Sequence, residues 1–176
     1  MEIIIKQTLT AEDHYEYNMH HISKKSKMMY FPFVTGFLML AIGVFAFITS
    51  QDYWVAAFAV LFAMYSFLWY PKSIRRRVRN SIAQNPRFNS PLELNLLISE
   101  EGVKITSDDL ENQPFMEWNK VLEMTEGTAH FYLYIAKNQA IIVSKTFLSD
   151  EMTAQFKQMV EQHLPVSQIK YQKKKQ

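Results

Sequence analysis

The sequence contains no cysteine, so neither a disulfide framework nor a thiolate metal site is available to it. Glycine is scarce, with four in 176 residues, and no Gly-rich phosphate loop is present. No Ser/His/Asp order and no pair of acids in an apolar setting stands out, so no catalytic constellation is legible. The expectation is a non-enzymatic protein without a cofactor. The sharpest deficit is charge. Between Met28 and Pro71 the only charged residue is Asp52.

What fills that charge-free stretch is apolar. Two runs, Met28–Gln51 and Tyr53–Pro71, lie back to back around Asp52. A bilayer core of about 30 Å takes roughly 20 apolar residues in a helix, so each run is long enough to span. In the first, Phe31, Phe33, Val34, Phe37, Leu38, Leu40, Ile42, Val44, Phe45, Phe47 and Ile48 favour insertion by roughly −3 to −7 kcal/mol in all. The second is weaker, at roughly −2 to −4 kcal/mol by the same scale. Its expected bounds are about 53–71, against about 28–50 for the first. The first run is too long for a signal-peptide core and no small-x-small cleavage site follows it, so it is expected to be retained.

No Lys, Arg, Glu, Asp or His lies within either run, which argues against a self-sufficient ion or proton pathway. Small residues do recur there. Ala56, Ala59, Ala63 and Ser66 form a stripe in the second run, and Gly36 and Gly43 are seven apart in the first. Such stripes let helix backbones approach, either within the hairpin or in a homo-oligomer.

Charge is segregated around the runs. Lys24, Lys25 and Lys27 precede the first; Lys72, Arg75, Arg76, Arg77 and Arg79 follow the second. By the positive-inside rule both clusters stay cytoplasmic, so both termini are expected there in a multi-pass protein of the cell membrane. The same cations would lie against anionic headgroups. Residues 92–164 instead hold twelve acids against five lysines, a net of −7. An acidic domain does not suit nucleic acid. It is expected to fold back on the basic cluster or to bind a basic partner.

The soluble parts read as follows. Residues 1–27 give a short strand (Glu2–Leu9), then a helix from Ala11 capped by Thr10 with Asp13 three positions on. Residues 72–91 give a basic juxtamembrane helix and a linker broken at Pro86 and Pro91. From Leu92 the period becomes two, with Leu94, Leu96 and Ile98 alternating with polar residues before a turn at Glu101-Gly102. Further strands are predicted at Pro114–Trp118, Val121–Thr125, His130–Ala136 and Ala140–Ser144. A helix capped by Ser149 and ended by Pro165 closes the domain at 92–164, and a basic tail occupies 165–176.

His14, Asn18 and His21 share one helical face, with His20 adjacent, but no carboxylate completes a zinc site there. Solvated histidines are the expected reading. Glu100, Glu101, Asp108, Asp109 and Glu111 fall in turns as solvated charges. Trp118, Phe131, Tyr132 and Tyr134 read as core and rim.

The segments LLISEEGVKIT (Leu96–Thr106), MEWNKVLEMTEG (Met116–Gly127) and FYLYIAKNQAIIVSKTFL (Phe131–Leu148), ahead of a terminal helix and behind a two-span hairpin, resemble the YcxB-like group of small bacterial membrane proteins. Trp118, Val121 and Lys145 carry the likeness, while Ser144 stands where that group often has proline. The resemblance implies a membrane location and a pleckstrin-homology-like C-terminal domain: an antiparallel barrel capped by a helix, hence an α+β membrane protein. Such a barrel needs a seventh strand, and Glu2–Leu9 is expected to supply it. No established activity comes with the resemblance; the expected role is a cytoplasmic interaction, sensing or regulatory module, with strand addition at a barrel edge as the binding mode. The competing expectation is an accessory subunit of a membrane transporter or membrane enzyme.

Overall fold

The computed structural model describes residues 2–25, 29–51, 53–88, 90–107 and 114–172. In chain order the elements begin with strand β1 (Ile3–Leu9), helix α1 (Ala11–His20) and a π turn (His21–Lys25). Helices α2 (Phe31–Ser50) and α3 (Tyr53–Met64) follow, then a second π turn (Tyr65–Trp69) and α4 (Tyr70–Ala83). Strands β2 (Leu92–Ile98), β3 (Gly102–Thr106), β4 (Phe115–Glu117), β5 (Glu123–Glu126), β6 (His130–Ala136) and β7 (Gln139–Ser144) come next. Helix α5 (Asp150–His163) and the two-residue strand β8 (Ile169–Lys170) complete the chain. Two units result: residues 1–17 with 87–176, and residues 18–86.

The first unit is a pair of four-stranded sheets with orders β1-β2-β3-β4 and β7-β6-β5-β8. Strand β1 alternates buried and exposed residues and pairs antiparallel with β2 along its length, from Ile3↔Ile98 to Leu9↔Leu92. The N-terminal strand therefore joins the C-terminal domain, as the missing seventh strand requires. The expected single closed barrel is not formed among the described residues. At one end, β4 is three residues long and the chain leaves its sheet through a 3-10 turn at Trp118–Lys120, which takes in Trp118, the last residue of the strand expected at Pro114–Trp118. At the other, β1 and β7 do not pair backbone to backbone. The buried Gln7 side chain joins them instead, with Nε2 donating to the Ile142 carbonyl at 2.7 Å and Oε1 accepting from the Ser144 amide at 2.9 Å.

Strand β6 is buried on both faces. Phe131 and Leu133 enter the main core with Ile5, Leu96, Ile98, Val143 and the α5 residues Phe156, Met159 and Val160. Tyr132 and Tyr134 face the other way, into a second cluster with Leu9, Leu94, Ile142 and Tyr17 of α1. That double burial explains why HFYLYIA lacks the polar alternation of a half-exposed strand. Each large side chain so buried contributes about 1.5–3 kcal/mol. Helix α5 starts as its sequence dictates, with the Ser149 hydroxyl accepting from the Met152 amide at 3.1 Å.

The second unit is an antiparallel pair of long apolar helices. Helix α2 spans 20 residues and the continuous rod Tyr53–Ala83 spans 31, which at about 1.5 Å per residue are roughly 30 and 46 Å long. The rod runs on through the boundary expected between Pro71 and Lys72, so the apolar stretch and the basic residues lie on one continuous helix. A π turn lies immediately before Pro71, closed by the Tyr70 amide on the Tyr65 carbonyl. The wider turn falls where the proline's ring and missing N–H would strain an ordinary ladder. Between the helices Gln51 takes a left-handed conformation (φ 52°) and its amide bonds to the Ala46 carbonyl; Asp52 lies outside the described residues. Ala59, Ala63 and Ser66 are buried, as are Gly36 and Gly43 opposite them. A Cβ on Gly43 would stand 2.5 Å from that of Ala59, and one on Gly36 would stand 2.9 Å from Phe67 Cε1. The small residues serve close packing inside the hairpin.

Candidate interaction site

The residues singled out for a membrane surface fall on two elements. Lys24 is exposed in the first π turn and Lys25 ends that turn, while Lys27 lies outside the described residues. Lys72, Arg75, Arg76, Arg77 and Arg79 are all exposed on α4, in the part of the long rod that extends beyond its apolar stretch. Helix α4 is strongly amphipathic. Ile74 and Val78 are half-buried and Ile82 is buried, at the four-residue spacing that one helical face requires.

A second polar group is organised around strand β5 and Lys145. The Lys145 ammonium donates to Glu126 Oε1 at 2.7 Å and to the Gly127 carbonyl at 2.8 Å, and lies 4.7 Å from the Phe131 ring centre. Lys157 of α5 approaches the same carboxylate at 3.4 Å. Burial pushes the Glu126 carboxyl up, but Lys145, Lys157 and the Gln172 amide outweigh it and hold the group below its ordinary range. Strand β8 lies parallel to β5, with Met124↔Ile169 and Thr125↔Lys170 as partners. Around it, Lys170 Nζ reaches Glu123 Oε1 at 3.0 Å and the Tyr171 hydroxyl donates to Glu161 Oε1 at 2.5 Å.

The third group lies under α1. The Thr10 amide donates to Asp13 Oδ2 at 2.7 Å while the Asp13 amide faces the Thr10 hydroxyl at 3.4 Å, the reciprocal box that the sequence predicts. Asp13 Oδ1 then lies 2.8 Å from Nε2 of His130, and Glu16 Oε2 lies 3.2 Å from Nδ1 of the same ring. Tyr17, one helical turn from Asp13, donates its hydroxyl to the Asn138 carbonyl at 2.8 Å. Burial pushes Asp13 up, but the Thr10 amide and hydroxyl and the His130 bond outweigh it and hold its carboxyl below the ordinary range. The His14 ring lies 4.2 Å from that of Phe88, and burial pulls it below its ordinary value. Among the described residues no group of three or more His, Asp or Glu is placed to hold a metal ion.

The turn acids also divide. Glu100 is exposed with its carboxylate 3.6 Å from His163, whose ring stacks on Trp118 at 5.2 Å. Glu100 and Glu101 line a shallow, open depression of about 510 Å³ with Glu2, Leu97, Lys104 and Phe115. It lacks the apolar enclosure of a small-molecule site. Asp108, Asp109 and Glu111 lie outside the described residues. Sequence reasoning missed the part of the tail that pairs with β5, because Ile169-Lys170 is too short to show a period. It also missed the Asp13–Glu16–His130 group, although positions 13, 16 and 17 already share one helical face.

The residues behind the family likeness all have fixed places in this unit. Trp118 is buried and donates Nε1–H to the Ser99 carbonyl at 2.8 Å; Val121 lies in the main core; Lys145 clamps Glu126 and Gly127. No curated protein and no solved structure matches the chain. Residues 98–160, from the end of β2 into α5, match the family model described as YcxB-like protein.

Proposed function

We propose that this chain is an integral membrane protein anchored by the α2–α3 hairpin, with its YcxB-like unit a cytoplasmic module that binds a protein or peptide and performs no chemistry of its own. The observation that carries the reading is where the apolar surface lies. In the most apolar window of each long helix only 17% is buried. Phe31, Val34, Phe37, Leu38, Phe45, Ile48, Trp54, Phe58, Leu61 and Leu68 are exposed around the helices. A core helix of a water-soluble protein hides such a surface, whereas lipid solvates it.

Topology supports the same reading. The hairpin is inserted between β1 and β2, whose adjoining ends meet at Leu9↔Leu92. A folded sheet lies on one side of a membrane, so a chain that leaves from β1 and returns to β2 crosses an even number of times. Two apolar helices meet that count. The basic residues of α4 and Lys24 support a cytoplasmic placement of both termini, beside anionic headgroups. The pleckstrin-homology-like reading draws on strand order: four strands of one sheet, three of the other, then α5. The accessory-subunit reading loses support, because the small residues it would use are packed inside the hairpin.

The test is membrane fractionation combined with reporters placed after Gln176 and at Asp52. Carbonate-resistant sedimentation is expected, with the Gln176 reporter cytoplasmic and the Asp52 reporter on the far side. Release by carbonate, or a Gln176 reporter outside the cell, would overturn the proposal.

A further inference from the structure

We infer that the side of β5 away from β6, together with the adjoining face of α5, is a receptor for an extended peptide of aliphatic–basic–aromatic order, and that the chain's own segment Ile169–Gln172 is its resident competitor. The inference rests on the reading of this unit as an interaction module.

Two paired residues add little sheet, yet every residue of the segment meets a different side chain. Ile169 packs on the main core. Lys170 meets Glu123 at 3.0 Å. The Tyr171 hydroxyl bonds to Glu161 while its ring lies 4.9 Å from the Lys157 ammonium. The Gln172 amide faces Glu126 Oε2 at 3.3 Å and its side chain faces Thr128 Oγ1 at 3.4 Å. Main-chain pairing supplies affinity and these side-chain contacts supply selectivity, which is how sheet edges recognise peptides. The rim carries Glu123, Glu126 and Glu161, so it suits a base between the aliphatic and aromatic positions.

The segment is also removable. Lys170, Tyr171 and Gln172 are exposed and Ile169 is half-buried, so the segment lies at the rim of the core and not within it. It follows α5 through Pro165 and a single 3-10 turn. A tether that short holds it at an effective concentration on the order of millimolar. A peptide arriving in trans must outcompete that concentration, so an intact chain binds it weakly and a released chain binds it well.

The probe is a fluorescein-labelled peptide of residues 166–172, VSQIKYQ, titrated by anisotropy against the detergent-solubilised full chain. Two variants release the edge: a chain ending at Pro165, and the full-length double variant Ile169→Asp with Tyr171→Ala. Both are expected to bind the probe at least tenfold more tightly than the intact chain, and bound probe should slow amide exchange in β5. A probe with Asp in place of its isoleucine should not bind. Released variants that retain native exchange in β6 yet leave the probe unbound would overturn the inference, as would an intact chain binding equally well. A concentration-dependent dimer lost on truncation at Pro165 would overturn it too, by making a second copy the occupant. Because binding is read in detergent, a failed membrane assignment leaves this result standing, and the converse also holds.

Discussion

Nε2 of His130 lies 2.8 Å from Oδ1 of Asp13, a carboxylate 117 residues earlier in the chain whose other oxygen caps helix α1. Nδ1 of the same buried ring lies 3.2 Å from Glu16. One buried ring thus lies between two carboxylates of the same helix. The residue that starts α1 is therefore also the one that fastens it to β6.

Replacing His130 with alanine removes the shared partner of two carboxylates. The His130→Ala protein should lose about 1–3 kcal/mol of stability, since Asp13 and Glu16 can each turn partly to water. Thermal unfolding in detergent measures the loss. Protease cutting between Thr10 and Lys25 should speed up as α1 loosens.

Acid should destabilise the soluble unit through Asp13 and Glu126. Both carboxyls are held below their ordinary values of 3.8 and 4.5. A group whose folded value is depressed stabilises above its unfolded value and loses that contribution as pH falls through the folded one. The melting temperature should therefore fall as the pH is lowered from about 5 through the carboxylate range. Asp13→Asn should make that decline shallower.

Gln7 offers a test of how the two sheets are joined. Gln7→Leu leaves the Ser144 amide and the Ile142 carbonyl without their partner and should cost about 1–3 kcal/mol. Faster hydrogen exchange at the Ser144 amide is the specific sign. Gln7→Glu should be worse at neutral pH, because a buried carboxylate turns an acceptor toward the Ile142 carbonyl. Protonation restores a donor, so this variant should regain part of its deficit as the pH falls.

The hairpin contact at Gly43 and Ala59 can be read by exchange of a methyl group. Gly43→Ala places a Cβ 2.5 Å from that of Ala59, which forces the helices to shift at a cost of about 1–3 kcal/mol. Adding Ala59→Gly should return most of it. A double-mutant cycle in detergent that shows no coupling would mean that the helices do not meet there.

Much of the architecture is legible from local pattern. Apolar length gives α2 and the apolar part of the long rod, period-two alternation gives Leu94, Leu96 and Ile98 their inward face, and Thr10, Asp13 and Ser149 mark helix starts through their own backbone bonds. Such signals are short-range, set by residues within a few positions of one another. The π turn before Pro71 and the pairing of Ile169 and Lys170 with β5 escape the same reading, since neither leaves a periodic trace.

The sequence by itself determined a charge-free pair of helix-length apolar runs between basic flanks, followed by a strand-rich acidic domain. Hydrophobic length, charge sign and period are properties of neighbouring residues. Tertiary structure alone decided that β1 lies beside β2 across the inserted hairpin, that Gln7 joins two sheets where a closed barrel was expected, and that Asp13 meets His130. Those contacts bring together residues more than 80 positions apart. Their partners are chosen by which buried polar groups need satisfying once the sheets have packed.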